Sequence, residues 1–206
     1  MKVNYFDLGL FRGVELSWMV NNILPSLDIN DYSAYGFEPC EKYFKHLSNK
    51  FNSNDKITLI KKAVSDKNQK VKLYHAPNLV GNSIYDSKNN IKKDSFEMVE
   101  SIIFSEWLKK NVQDFENSFN ILKVNIEGAE WPLFKNLCET GMHKHIDIFC
   151  GQGHDVKKIG EFVNSGVVED YYNLLEEYDI VLHRFSEYKP EQNIDMKKMI
   201  MEKLWD

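Results

Sequence analysis

The sequence predicts an α/β protein with a Rossmann-like, mostly parallel central sheet and helices on both faces. Three observations carry that expectation. Almost at the start of the chain, a short apolar run ends in an acid and opens into two glycines, in Tyr5-Phe6-Asp7-Leu8-Gly9-Leu10-Phe11-Arg12-Gly13. An amphipathic segment, Val14–Leu24, follows at once and is closed by Pro25. Strand-like and helix-like stretches then alternate at the spacing of parallel strands joined by crossover helices. In open sheets of this kind a ligand sits beyond the carboxyl ends of the strands.

Taken in order, Val3–Leu8 reads as the first strand and Val14–Leu24 as the first helix. Ala34–Glu38, stopped by Pro39, is the second strand, and Glu41–Phe51 the second helix. Ile57–Val64 is the third strand. The middle departs from the pattern. After a polar turn, Val71–His75 returns as a short strand, and Ala76–Ser95 is a long polar loop in which Asn78, Asn82, Ser83 and Tyr85 suit a substrate-facing lid. Phe96–Phe104 suits an edge strand, after which Ser105 caps a helix through Asn111. The alternation resumes with strand Phe119–Ile126, helix Ala129–Cys138 and strand His145–Cys150. Val156–Val163 and Glu169–Glu177 read as helices, Asp179–Phe185 as a strand, and residues 194–206 as a helical tail. The tail's Met196, Met199, Ile200 and Leu204 recur at helical spacing, which suits packing on the parent domain, with a homodimer contact as the alternative.

Length and composition bound the rest. With 206 residues, 43% of them hydrophobic, the chain suits a single domain with a substantial core. A net charge of −5 argues against a nucleic-acid-binding surface. Cys40, Cys138 and Cys150 are far apart and odd in number, so neither zinc-ligand spacing nor a disulfide framework is present. No run approaches the ~20 apolar residues of a membrane helix, and Asp7 and Arg12 interrupt any signal-peptide core. The expectation is a soluble, cytoplasmic protein that handles a small molecule, with no residues assigned as metal ligands.

The opening turn carries the first chemistry. Gly9 and Gly13 allow a sharp bend and a close ligand approach. A dinucleotide or P-loop site would press a phosphate against the following helix. Here Asp7 and Glu15 would repel it, Phe11 stands where the dinucleotide fingerprint needs a glycine, and the Gly-Lys-Ser/Thr ending is absent. A cationic, phosphate-free ligand fits better, and S-adenosylmethionine, with its sulfonium and ammonium, has that chemistry. Glu38 ends the second strand 25 residues after Gly13, where an acid accepts hydrogen bonds from ribose hydroxyls.

Four segments in register, Tyr5–Gly13, Gly36-Phe37-Glu38-Pro39, Ala63-Val64-Ser65-Asp66 and Leu122–Glu130, resemble the FkbM-type family of S-adenosylmethionine-dependent methyltransferases. The resemblance implies a class I methyltransferase fold and methylation of a hydroxyl on a sugar or polyhydroxylated metabolite. It also implies that Asp7, Gly9 and Gly13 form the methionine-side loop, that Glu38 holds the ribose, and that Ala63 and Val64 lie near the adenine, with Leu10, Phe11 and Pro39 also among the cofactor-binding residues. Asn125-Ile126-Glu127-Gly128 would then lie beside the methyl group. The chain differs from the family pattern at Leu10-Phe11, usually Ala-Asn, and at Asn125, usually Asp. Those differences keep open a second reading, an accessory protein that binds without turnover.

A hydroxyl acceptor gains from a base that takes its proton. His154, in a Gly-Gln-Gly-His loop after the fifth strand, has a suitable ordinary pKa. Glu127, straight off the fourth strand, is its rival, and Glu130 lies in the first turn of a helix, where a carboxylate is favoured in any case.

Overall fold

The alternating pattern folds into a six-stranded sheet in which every pairing is parallel. The structure, a computed structural model, describes residues 1–185 and 190–205. The sheet contains β1 (Val3–Leu8), β2 (Tyr32–Phe37), β3 (Ile57–Ile60), β7 (Phe119–Val124), β8 (Ile148–Gly151) and β9 (Leu182–His183), in the order β3-β2-β1-β7-β8-β9. The order reverses at β1, so the edge beyond β1, β2 and β7 is the switch point where α/β sheets receive ligands.

Strand β1 is buried at all six positions, because β2 and β7 flank it and both its faces are covered. Alternation sorts its side chains into two layers. Phe6 and Leu8 join Leu122 and Val124 of β7 on one face, packed under α4 (Phe104–Asn111), α5 (Glu130–Glu139) and α7 (Val167–Glu177). Val3 and Tyr5 join Ile121 and Ile148 on the other, packed under α1 (Val14–Trp18), α3 (Glu41–Phe51) and α8 (Pro190–Trp205). In α8, Met196 and Ile200 are fully buried in that second layer, so much of the tail's apolar stripe is used within the chain. The tail's last residue, 206, lies outside the described residues. Among the described residues no helix is long and apolar enough to cross a membrane.

Several expected elements are corrected. The first helix is α1, a π-helical turn (Met19–Ile23) and α2 (Leu24–Ser26) in succession. Pro25 accounts for the widening, since its ring clashes with the carbonyl four residues back in a regular helix. The third strand does not run through to Val64. The chain leaves the main sheet at Lys61, and β4 (Ala63–Val64) pairs instead with β6 (Lys92–Ile102). With β5 (Lys70–His75) these form a small second sheet in which β6 is the middle strand rather than an edge. Helix α4 begins at Phe104 with no side-chain cap, not at Ser105. Asp155–Lys158 is a 3-10 turn before α6 (Gly160–Ser165), where one helix from Val156 was expected. The final strand shrinks to Leu182–His183, and β8 starts at Ile148 after a 3-10 turn over Met142–His145.

Candidate cofactor and acceptor cleft

At the switch point the ends of β1, β2, β4 and β7 surround a cleft of about 800 Å³ counted to its open mouth. Its walls contain Gly9, Phe11, Glu38, Pro39, Ala63, Val64, Asn125 and Glu127 from the expected set. Tyr43, Leu73, Leu79 and Ile84 complete an apolar side.

The turn after β1 is held from within. The N–H groups of Gly9 and Leu10 both donate to the Phe37 carbonyl at 3.0 Å, and that of Gly13 donates to the Leu10 carbonyl at 2.7 Å. The Phe11 N–H donates to Glu38 Oε2 at 2.8 Å. These four amides are therefore spent, and the turn is not a phosphate cradle. Gly9 has φ 85°, and a Cβ there would strike the Asn125 carbonyl, so β1 and β7 meet only because the residue is glycine.

Leu10 and Phe11 diverge. Leu10 is 1% exposed and packs down against Gly36 in the core, so it does not narrow the cleft. Phe11 does line it, at φ 51°, with its ring edge-on to Tyr43 at 4.6 Å. Leu79 and Glu127 also line the cleft with φ near 60°. Three of the five described non-glycine residues with positive φ thus gather at this one place, as strained backbone does at functional sites.

Asp7 and Gly13 lie off the cleft wall. Alternation turns Asp7 toward the α1 layer, where it is fully buried and pairs in register with Lys123 of β7, Nζ to Oδ1 at 2.8 Å. Lys123 also donates to the Gly9 carbonyl at 2.9 Å. Burial pushes the Asp7 carboxyl up to about 6 against the pull of Lys123. This ion pair fastens the turn from below. Gly13 packs on Leu47 and Phe51 of α3 and caps α1.

Glu38 is 6% exposed at the cleft wall. Its second oxygen, Oε1, accepts the Cys40 N–H at 2.9 Å. Burial raises its pKa to about 7, opposed by those two amides. Each oxygen retains a lone pair, so the carboxylate is oriented and still able to accept from a diol.

The turn after β7 holds the other carboxylates. Glu130 is fully buried, accepting the Ile126 N–H at 3.1 Å and the Gly128 N–H at 2.7 Å, and burial raises its pKa to about 7. It ties together the turn before α5, fully buried and off the cleft lining, which removes it from the candidate bases. Glu127 projects into the cleft wall and contacts the ammonium of Lys88. Burial first, and then a hydrogen bond with Asp155, raises its pKa to about 7, against the pull of Lys88. His154 is exposed outside the cleft lining, its Nε2 3.5 Å from Asp155 Oδ1. Geometry therefore brings Glu127 and Asn125 to the cleft and leaves His154 outside it.

The middle loop folds over the same cleft. Tyr74 and Ser83 form a bridge, Asn82 Oδ1 accepts the Ala76 N–H at 3.0 Å, and Ser83 Oγ donates to the Glu127 carbonyl at 2.7 Å. Tyr85 packs edge-on to Phe162 at 4.9 Å. The side chain of Asn78 lies outside the described residues. Sequence reasoning missed Tyr43, Leu79, Ile84, Lys88 and Asp155. Leu79, Val80 and Ile84 were a readable signal, since apolar residues in a polar loop need something to cover.

A family model described as the Methyltransferase FkbM domain matches residues 22–169, more than half of the chain. The match takes in Glu38, Ala63-Val64 and Asn125–Glu127 and begins after the Gly9–Gly13 turn. One similar solved structure is the methyltransferase FkbM from Methylobacillus flagellatus KT, with a TM-score of 0.46 and 11% identity. That similarity covers 81% of this chain and 36% of the other, so the chain spans about a third of its length. Among curated proteins none matches the chain.

Proposed function

The chain belongs to the FkbM methyltransferase domain family, and we propose that it transfers a methyl group from S-adenosylmethionine to an oxygen of a small sugar or polyhydroxylated metabolite. The observation that carries this reading is Glu38, a carboxylate oriented by the Phe11 and Cys40 amides beside an apolar cleft wall. The residues present fit a phosphate-free nucleoside. Four of the turn's five amides, those of Gly9, Leu10, Phe11 and Gly13, are already bonded, while Phe11, Tyr43, Ala63 and Val64 offer an apolar surface for a base.

Glu38 would accept from the ribose hydroxyls, with its fixed geometry limiting the ordering cost of binding. Bound S-adenosylmethionine supplies a methyl group already activated on a sulfonium. What remains for the protein is to place the acceptor oxygen and take its proton. Glu127 is the carboxylate at the cleft wall for that proton, and Asn125 beside it offers an amide to orient the acceptor. The folded-over loop lines the same cleft and leaves both partly exposed to an incoming acceptor.

Calorimetry with S-adenosylmethionine, S-adenosylhomocysteine and NAD, followed by methyl-release assays on a panel of sugars, tests the proposal. Binding of NAD in preference to S-adenosylmethionine overturns it. Asn125, facing the cleft where the family usually carries aspartate, favours the second reading, a binding or accessory protein. Tight cofactor binding without turnover on any acceptor would select that reading.

A further inference from the structure

Lys88 is the least expected residue near the cleft. It lies in the polar middle loop, yet its side chain is 1% exposed. Its ammonium contacts the Glu127 carboxylate, donates to the Gly81 carbonyl at 2.8 Å and stands 3.8 Å from Asp155 Oδ2. Those partners come from three segments: the turn after β7, the cleft-facing part of the loop, and the 3-10 turn after β8. The backbone around Lys88 is tied down as well. Lys88 bridges Ile159, the Asn89 N–H donates to the Lys158 carbonyl at 3.2 Å, and the Gly160 N–H donates to the Ser87 carbonyl at 3.0 Å.

We propose that Lys88 is the positioning residue of the cleft, a single buried cation that sets the Glu127 carboxylate and latches the 79–84 segment over it. Burying an ammonium is costly unless it is paired and hydrogen-bonded. Lys88 meets that condition only when the loop is down and Glu127 is turned toward it. Loop closure and base placement are therefore one event. Other charged groups share the cluster: Asp155 is also paired with Lys158 at 2.7 Å, His154 stands at its edge, and Glu130 is occupied by the turn amides. Lys88 is the cation that joins this cluster to the cleft wall.

The catalytic half of the inference rests on the methyl-transfer reading, and the latch does not. Limited proteolysis of the ligand-free protein tests the latch directly. Lys88→Met and Glu127→Gln should each raise cleavage within residues 77–90 at least tenfold, and the double variant should be cut no faster than the faster single one. Lys88→Arg should restore most of the protection. Equal cleavage of wild type and Lys88→Met, or additive effects in the double variant, overturns the latch. For positioning, the rising limb of the pH–rate profile should move to higher pH in Lys88→Met, because Glu127 loses its counter-charge, and return in Lys88→Arg. A rate that falls equally at every pH, with the limb unmoved, overturns the positioning role. Absence of cofactor binding in the wild type would instead defeat the methyl-transfer reading, leaving the proteolysis result to judge the latch.

Discussion

The Phe11 amide donates to Glu38 across 2.8 Å, joining the turn after β1 to the acid that ends β2. The residue that shapes one wall of the cleft thereby orients the carboxylate of another. Glu38→Ala should weaken S-adenosylmethionine binding by about 1.5–3 kcal/mol, the range for a lost hydrogen bond to a charged group. It should also loosen the turn. Calorimetry read beside the melting temperature separates the effects, and unchanged affinity removes Glu38 from the site.

Glu127 and His154 make opposite predictions. Glu127 lines the cleft, whereas His154 is exposed beyond it. Glu127→Gln should lower the methyl-transfer rate by about 10²–10⁴, as loss of a general base does, with cofactor affinity nearly kept. His154→Ala should leave the rate within a few-fold. The reverse pattern in single-turnover assays would return the base to the loop after β8.

Leu10 and Phe11 separate stability from binding. Leu10→Ala empties a buried position and should cost about 2–5 kcal/mol of stability, with little change in cofactor affinity. Phe11→Ala removes a cleft wall and should do the opposite. Denaturant unfolding and calorimetry on both variants check the pair.

The Asp7–Lys123 pair is buried at both ends. Asp7→Asn leaves the lysine without its counter-charge and should destabilise the fold by about 3–5 kcal/mol. Asp7→Asn combined with Lys123→Met should recover part of that loss. Urea unfolding of the single and double variants measures the coupling, and simple additivity would contradict it.

Stability should also respond to pH. Burial raises Glu38 and Glu130 to about 7 in the folded chain, above ~4.3 for a free glutamate. Between those values the folded state holds protons that the unfolded state has released, so stability is greatest below the lower value and falls as pH rises through the higher one. The melting temperature should be higher at pH 5.5 than at pH 8. A steady rise over the same interval would show that neither proton is retained on folding.

The sheet was legible because its strands are apolar runs ended by glycine, proline or an acid, and α3 begins and ends where its pattern says. The break after Ile60 was not, because Lys61-Lys62 interrupts the apolar run too briefly to show that the chain changes sheets. At the site, Glu38 and Glu127 were visible as acids at strand ends. Asp7 looked the same, yet strand alternation turns it inward, and a lysine inside the apolar Ile121–Val124 run marked the partner it meets there. Lys88 was hidden among many lysines, since only tertiary contact distinguishes a buried one from a solvated one.

The inward-facing amides of the Gly9–Gly13 turn bear on how the cleft can be re-engineered. Exchanging side chains within the turn alters shape and charge but leaves the Gly9, Leu10, Phe11 and Gly13 amides bonded, because Phe37, Glu38 and Leu10 accept them. Retargeting the cleft to a nucleotide phosphate would require a different main-chain path between β1 and α1. The other walls of the cleft, the 79–84 segment and Asn125, line it with side chains and are open to change one residue at a time.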